Sequence, residues 1–277
     1  MSATPLWLNI HRGDAPLIIS MPHAGTGIPP EIEAKLVSLW RARKDTDWHV
    51  DKLYDFAPSL GATIIRTGVS RTMIDVNRDP SGKTLYPGQN TTPLCPTETF
   101  DAEPLYRDGE APDEVEIAQR RALYFNPYHA ALSNEIARLR RVHGHIVLFE
   151  AHSIRSAIPN LFEDELPHLN IGTNSGASCA HQLTTAIETE CASTRFWLVT
   201  NGRFKGGYIT RHYGQPQNGV HAIQLELACR TYLQEPYGPV NESNWPVPYD
   251  RDYAGPMRDL AERILKVCLE FTREAAA

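Results

Sequence analysis

A three-layer α/β/α fold built on a mixed central sheet is what this sequence predicts, and three features carry that prediction. Short apolar runs bounded by polar loops, at 16–21, 145–150 and the run ending at Glu226, have the composition of buried strands. Helical periods alternate with these runs, as they do when helices cover both faces of a sheet. The β-rich runs at 61–66 and 72–76, joined by Thr-Gly-Val-Ser, lie too close in sequence for a crossover, so a hairpin is expected and the sheet should be mixed.

The elements follow in order. After a short leader, 16–21 is the first strand, and Pro29-Pro30-Glu-Ile-Glu opens a helix with proline and acids in its first turn. A second helix is expected over 47–60, then the hairpin. The stretch 79–112 is rich in Pro, Gly, Thr and acids and has no sustained period, which marks a long irregular loop. Val115, Ile117, Leu123, Leu132, Ile136 and Leu139 give 113–142 a helical period, with Pro127 predicting a break or kink. Gly144 ends that helix before the 145–150 strand. A loop over 153–175, a helix near 176–191, a strand at 196–200 and a glycine-rich loop over 201–219 precede the strand that ends at Glu226. Met257, Leu260, Ile264, Val267 and Leu269 make 255–275 an amphipathic closing helix.

With 277 residues and no glycine-serine or proline-rich spacer, the chain reads as one domain over 1–277, with active-site loops around 79–112, 153–175 and 201–219. A formal net charge of −6 and scattered basic residues do not make a nucleic-acid footprint, so a small-molecule partner is expected. No cationic leader with an apolar core and no run of bilayer length is present, from which a soluble, cytoplasmic protein is expected. The five cysteines are widely spaced and contain no Cys-x-x-Cys pair, which argues against a disulfide framework and a thiolate zinc site. Cys95 has no histidine assignable as a partner. No Gly-x-Ser-x-Gly elbow occurs, and Gly25-Thr-Gly27 lacks full dinucleotide-binding spacing.

His23 and His152 each sit where an apolar run breaks into polar sequence, where strands of an open sheet present side chains to a ligand crevice. Catalytic zinc commonly takes two His and a carboxylate and keeps a position open for water. A lone histidine at a strand end is more often structural, but the repetition at two strand ends points to a hydrolytic metal site. Asp47 is the first choice for the carboxylate ligand, Asp45 the second and Glu150 a further candidate; helix capping is the ordinary role for either aspartate. Glu150 faces the same way as His152 and is better suited to orienting that imidazole. Glu226 closes a third apolar run and can act as general base if burial raises its pKa. Arg71 and Asn77 could clamp a carboxylate, and Arg203, Lys205 and Arg211 add cations near the Glu226 strand, a set that favours a small dianion.

The ordered set Pro-His23-Ala-Gly25, Asp45-Thr-Asp47-Trp, Ser70-Arg71 through Asp75-Val-Asn77-Arg78, Glu150-Ala-His152-Ser153 and Gln224-Leu-Glu226-Leu resembles the N-formylglutamate amidohydrolase family. The resemblance runs from the first strand nearly to the C-terminal helix, and 158–163 and 169–173 share it. It implies a zinc carboxypeptidase-like fold, also described as phosphorylase/hydrolase-like, related to aspartoacylase. It further implies one Zn2+ with His23 and His152 as ligands, for which Asp47 is the first choice of third ligand, Glu226 as general base and Arg71 polarising the scissile carbonyl. Asn77 and Arg78 would hold a substrate carboxylate; Arg211, a cation of the glycine-rich loop, is expected in the substrate site on its charge alone. A zinc carboxypeptidase would carry Glu three residues after the first His; Thr26 stands there, so another carboxylate must replace it, Asp47 before Asp45 or Glu150. The implied reaction is hydrolysis of N-formyl-L-glutamate in histidine breakdown. A related amidohydrolase acting on another N-acyl acidic amino acid is the alternative.

Overall fold

Seven strands form one sheet in the order β1-β3-β2-β4-β7-β5-β6 in the computed structural model, which describes residues 4–84 and 91–275. They are β1 Leu8–His11, β2 Leu17–Met21, β3 Thr63–Thr67, β4 Ile146–Ile154, β5 Leu169–Gly172, β6 Leu198–Thr200 and β7 Val220–Ala228. The central run β3-β2-β4-β7 is parallel, whereas β1 on β3 and β5 on β7 are antiparallel. The sheet is therefore mixed, as expected, but for a different reason. Residues 72–76 are not a strand, and no hairpin forms there: β3 pairs with β1, which lies inside the stretch read as a leader. The apolar residues of 72–76 are buried all the same. Ile74 and Val76 join one core cluster and Met73 another, so their alternation reflects a loop wedged between cores.

The helices are α1 Pro30–Glu33, α2 Leu39–Arg43, α3 Val50–Leu53, α4 Glu114–Arg120, α5 Asn126–Arg140, α6 His181–Ala192, α7 Tyr208–Tyr213 and α8 Arg251–Glu274. Alternation along the strands assigns each helix to a face. Leu17, Ile19 and Met21 of β2, with Val147 and Phe149 of β4, pack into one cluster with α3, α6 and α8. Ile18, Ile146 and Leu148 point the other way, into a cluster with α5 and α7. These are the three layers.

Several boundaries differ from the sequence reading. The helix expected over 47–60 is only α3 followed by a 3-10 turn at Ala57–Leu60, with left-handed His49 before it and Pro58 inside the turn. Pro127 does not break its helix. Its missing N–H leaves the carbonyl of Leu123 without a donor, and the chain accommodates this by a π-helical stretch, Arg121–Phe125, between α4 and α5. α8 begins before Gly255 because the Asp250 side chain accepts from the amides of Asp252 and Tyr253. β5 lies within the loop expected over 153–175, and α7 within the glycine-rich loop. Among the described residues, no helix is long and apolar enough to cross a membrane.

Candidate active site

The side chains of β4 and β7 that face α5 and α7 begin apolar and turn polar towards the carboxyl ends. On β4 the row is Ile146, Leu148, Glu150, His152; on β7 it is Val220, Ala222, Gln224, Glu226. The two strands are paired in register, His152 opposite Glu226 and Glu150 opposite Gln224. Both continue beyond the expected ends, so His152, expected just past a strand that stops at Glu150, is a strand residue, as Glu226 was expected to be. All four polar side chains are buried. Polar groups grouped deep on one sheet face need one another or a ligand.

His23, just beyond β2, and Asp47, in the segment between α2 and α3, complete the group. The Asp47 amide donates to the His23 carbonyl at 3.1 Å, which fixes the two segments together. His152 Nδ1 lies 3.0 Å and His23 Nδ1 3.7 Å from Asp47 Oδ2. One ligand-type atom from each of the three residues lies within 4.8 Å of the others. Each imidazole is held from behind by its other nitrogen: His23 Nε2 is 2.7 Å from Asp75 Oδ1, and His152 Nε2 is 3.3 Å from Glu150 Oε2. A carboxylate that accepts from Nε2–H orients each ring so that Nδ1 faces Asp47. The other Asp47 oxygen, Oδ1, is buried 3.8 Å from Arg71 Nη1 and has no hydrogen-bond partner among the described residues.

That donor set fits a cation. Four buried carboxylates, Asp47, Asp75, Glu150 and Glu226, face two guanidinium groups, Arg71 and Arg78, so the cluster carries an excess of negative charge. Burial alone would disfavour an imidazolium at His152, but hydrogen bonds to Asp47 and Glu150 outweigh it and lift the pKa to about 10. The carboxylates thus draw positive charge to this point. Burial and the nearby Arg71 lower the pKa of His23, which favours the neutral, ligating form. Burial would raise that of Asp75, yet His23, Arg71 and Arg78 hold its carboxyl well below the usual range.

Beside the cluster lies a cavity of about 410 Å³ lined by His23, Arg71, Asn77, Arg78, His152 and Glu226, among others. Burial pushes the Glu226 carboxyl up to about 7, opposed by His152 and reinforced by Asp47. Arg71 lies over the Phe100 ring at 4.8 Å and donates to Asp75 at 2.7 Å. Asn77 lines the cavity, but its amide is engaged: Nδ2 donates to Glu150 at 2.9 Å and Oδ1 accepts from the Ile209 amide at 2.8 Å. A Cβ at Gly207 would come within 2.4 Å of that amide group, so glycine is required for α7 to start there.

Of the three carboxylates weighed as third ligand, Asp47 alone joins the histidines. It does not cap α3, whose N-cap, His49, makes no side-chain capping bond. Asp45 accepts instead from the Phe100 amide at 2.7 Å and from Arg155 at 3.1 Å. Glu150 stands behind His152. Arg211 is on α7, its Nε donating to the Gly206 carbonyl, and does not line the cavity; Arg203 does. Asp75, which braces both His23 and Arg71, was missed as a functional residue because its segment reads as a strand. The Arg71-x-x-x-Asp75 spacing was the available signal. Cys95 is buried, and burial raises its thiol pKa to about 11, a poor nucleophile.

The sequence model of a family described as N-formylglutamate amidohydrolase matches residues 15–233. The chain is 45% identical over 271 residues to an N-formylglutamate deformylase of Pseudomonas aeruginosa, covering 98% of each. It is 43% identical over 268 residues to one of Pseudomonas putida, covering 96% of this chain and 97% of that protein. The crystal structure of an N-formylglutamate amidohydrolase from Ralstonia eutropha JMP134 superposes with a TM-score of 0.77 at 23% identity, covering 97% and 99% of the two chains, and so shares the fold. The chain belongs to the N-formylglutamate amidohydrolase family.

Proposed function

We propose that the protein is a metal-dependent amidohydrolase that cleaves N-formyl-L-glutamate to L-glutamate and formate. The observation that carries this reading is the buried His23, Asp47, His152 cluster opening on a cavity with Glu226 and Arg71 in its wall. Relatives more than 40% identical over nearly the whole chain are N-formylglutamate deformylases, which supports the substrate. His23, Asp47 and His152 would hold one Zn2+, which supplies Lewis acidity and a water of lowered pKa; the same donors accept Co, Mn or Fe.

The remaining chemistry belongs to side chains of this protein. Glu226 takes a proton from the attacking water as its oxygen bonds to the formyl carbon. When the C–N bond breaks, the same carboxyl returns the proton to the amine nitrogen, so Glu226 begins and ends ionised. Arg71 donates to the carbonyl oxygen as that atom gains negative charge, with Asp75 holding the guanidinium in place. Arg78, which shares Asp75 at 3.4 Å, holds the substrate's α-carboxylate. Asn77 keeps α7 and Glu150 in register behind His152.

We read residues 1–277 as one domain, on the ground that one sheet runs from β1 to β7 and α8 packs back on it. We further infer a role in histidine breakdown in the cytoplasm, where five buried, unpaired thiols are at home.

Metal analysis beside formate release tests the proposal. The purified protein should carry one equivalent of a divalent transition metal and release formate from N-formyl-L-glutamate. His23→Ala and His152→Ala should lose both metal and turnover. Faster cleavage of the acetyl or succinyl analogue would move the assignment to a neighbouring amidohydrolase, and full activity after metal removal would overturn it.

A further inference from the structure

Residues of two chemical kinds line the cavity. His23, Arg71, Asn77, Arg78, His152, Gln224 and Glu226 are polar. Phe100, Ile154, Leu161 and Phe204 belong to a separate apolar cluster, with the Arg203 guanidinium 5.9 Å from the Phe204 ring and the Asn160 amide donating to the Phe100 carbonyl at 3.1 Å. Of the three cations in the 201–219 segment, Arg203 alone is in the lining; Lys205 and Arg211 are not. Arg203 also comes from a different part of the chain than Arg71 and Arg78, which both lean on Asp75.

The loop that carries Arg203 is pinned at both ends. Asn201, left-handed at φ 54°, accepts on its side chain from the Thr173 amide at 2.9 Å and donates to the Thr173 hydroxyl at 2.8 Å. The Gly207 amide donates to Gln224 at 2.9 Å, and the Lys205 carbonyl accepts from the Asn174 amide at 2.6 Å. A loop held this way fixes the backbone from which Arg203 projects, so less ordering entropy is lost when that side chain meets an anion. Apolar walls beside it suit methylene groups, and a guanidinium suits a carboxylate at their end.

We propose that Arg203 is the specificity-determining residue that receives the side-chain carboxylate of the acidic amino acid, while Phe100, Ile154, Leu161 and Phe204 pack its methylenes. This rests on the deformylase reading for its substrate but can be tested apart from it. Wild type, Arg203→Met and Arg203→Lys are assayed for formate release from N-formyl-L-glutamate and N-formyl-L-glutamine, with L-glutamate binding measured by calorimetry. A charge-assisted hydrogen bond is worth roughly 10- to 100-fold in affinity.

Arg203→Met should lose about that much kcat/KM on formylglutamate, chiefly through KM, so that its preference for the acid over the amide collapses. Arg203→Lys should fall between, and L-glutamate should bind Arg203→Met roughly 10- to 100-fold more weakly than wild type. An unchanged acid-to-amide ratio, an equal loss on both substrates, or equal glutamate binding would overturn the assignment. Wild type that binds glutamate through Arg203 yet releases no formate would instead overturn the deformylase reading and leave this one standing.

Discussion

Glu226 concentrates the chemistry of the site in one carboxyl group. Its strand places it opposite His152, and burial, more than any neighbour, lifts its pKa to about 7. A base must be ionised to act, so turnover should climb with pH along a single-proton limb and level off once Glu226 has lost its proton. A cation in the adjacent cluster favours the carboxylate, so that limb should lie at or below pH 7. Glu226→Gln keeps the shape and removes the base. Its turnover should fall about 100- to 10,000-fold, with metal content and melting temperature near those of wild type. A pH–rate profile of both proteins checks this, and a variant that keeps both the limb and the rate would assign the base elsewhere.

At the scale of elements, α7 braces the His23, Asp47, His152 group through Glu150. The Thr210 hydroxyl donates to one Glu150 oxygen and the Asn77 amide to the other, and Glu150 in turn faces His152 Nε2. Removing such a supporting group typically costs 10- to 100-fold in metal affinity. Thr210→Val, nearly isosteric, should weaken Zn2+ binding to the metal-free protein by about that factor with secondary structure intact. A titration indistinguishable from wild type would show that Glu150 needs no such support.

The same elements show what sequence alone could tell. β2, β4 and β7 were legible because their apolar runs are buried on both faces, and His23, His152 and Glu226 were legible because they interrupt or end those runs. β1, β5 and β6 are four residues or shorter, β1 and β6 at the sheet edges, and the first two were missed for want of a long apolar run. Segment 72–76 misled because a buried loop and a strand can share one alternating pattern. The choice between Asp45 and Asp47 depends on which carboxylate turns towards His152, a matter of a loop's path between α2 and α3 that no local propensity encodes.

Across the whole molecule, His129 ties three parts of the fold together, and its titration should be felt at all of them. It sits on α5, donates from Nε2 to the Val76 carbonyl at 2.8 Å and meets the Tyr213 hydroxyl of α7 at 2.9 Å from Nδ1. The segment it grips is the one that carries Arg71, Asp75, Asn77 and Arg78. Burial lowers its pKa to about 4, against the bond to Val76, which favours the proton. An unfolded histidine titrates near 6.5, so between about 6.5 and 4 the unfolded chain binds a proton that the folded chain refuses. The contribution of neutral His129 is therefore complete above pH 6.5, is lost progressively as pH falls, and changes no further below about 4; the displacement is worth on the order of 3 kcal/mol. Other groups titrate over the same range, Glu226 in the opposite sense, so the measurement that isolates His129 is a difference. Melting temperatures of wild type and His129→Gln, followed from pH 8 to pH 4, should be furthest apart above pH 6.5 and converge by several degrees on acidification. Parallel curves would mean that His129 keeps an ordinary pKa and that its burial carries no proton penalty.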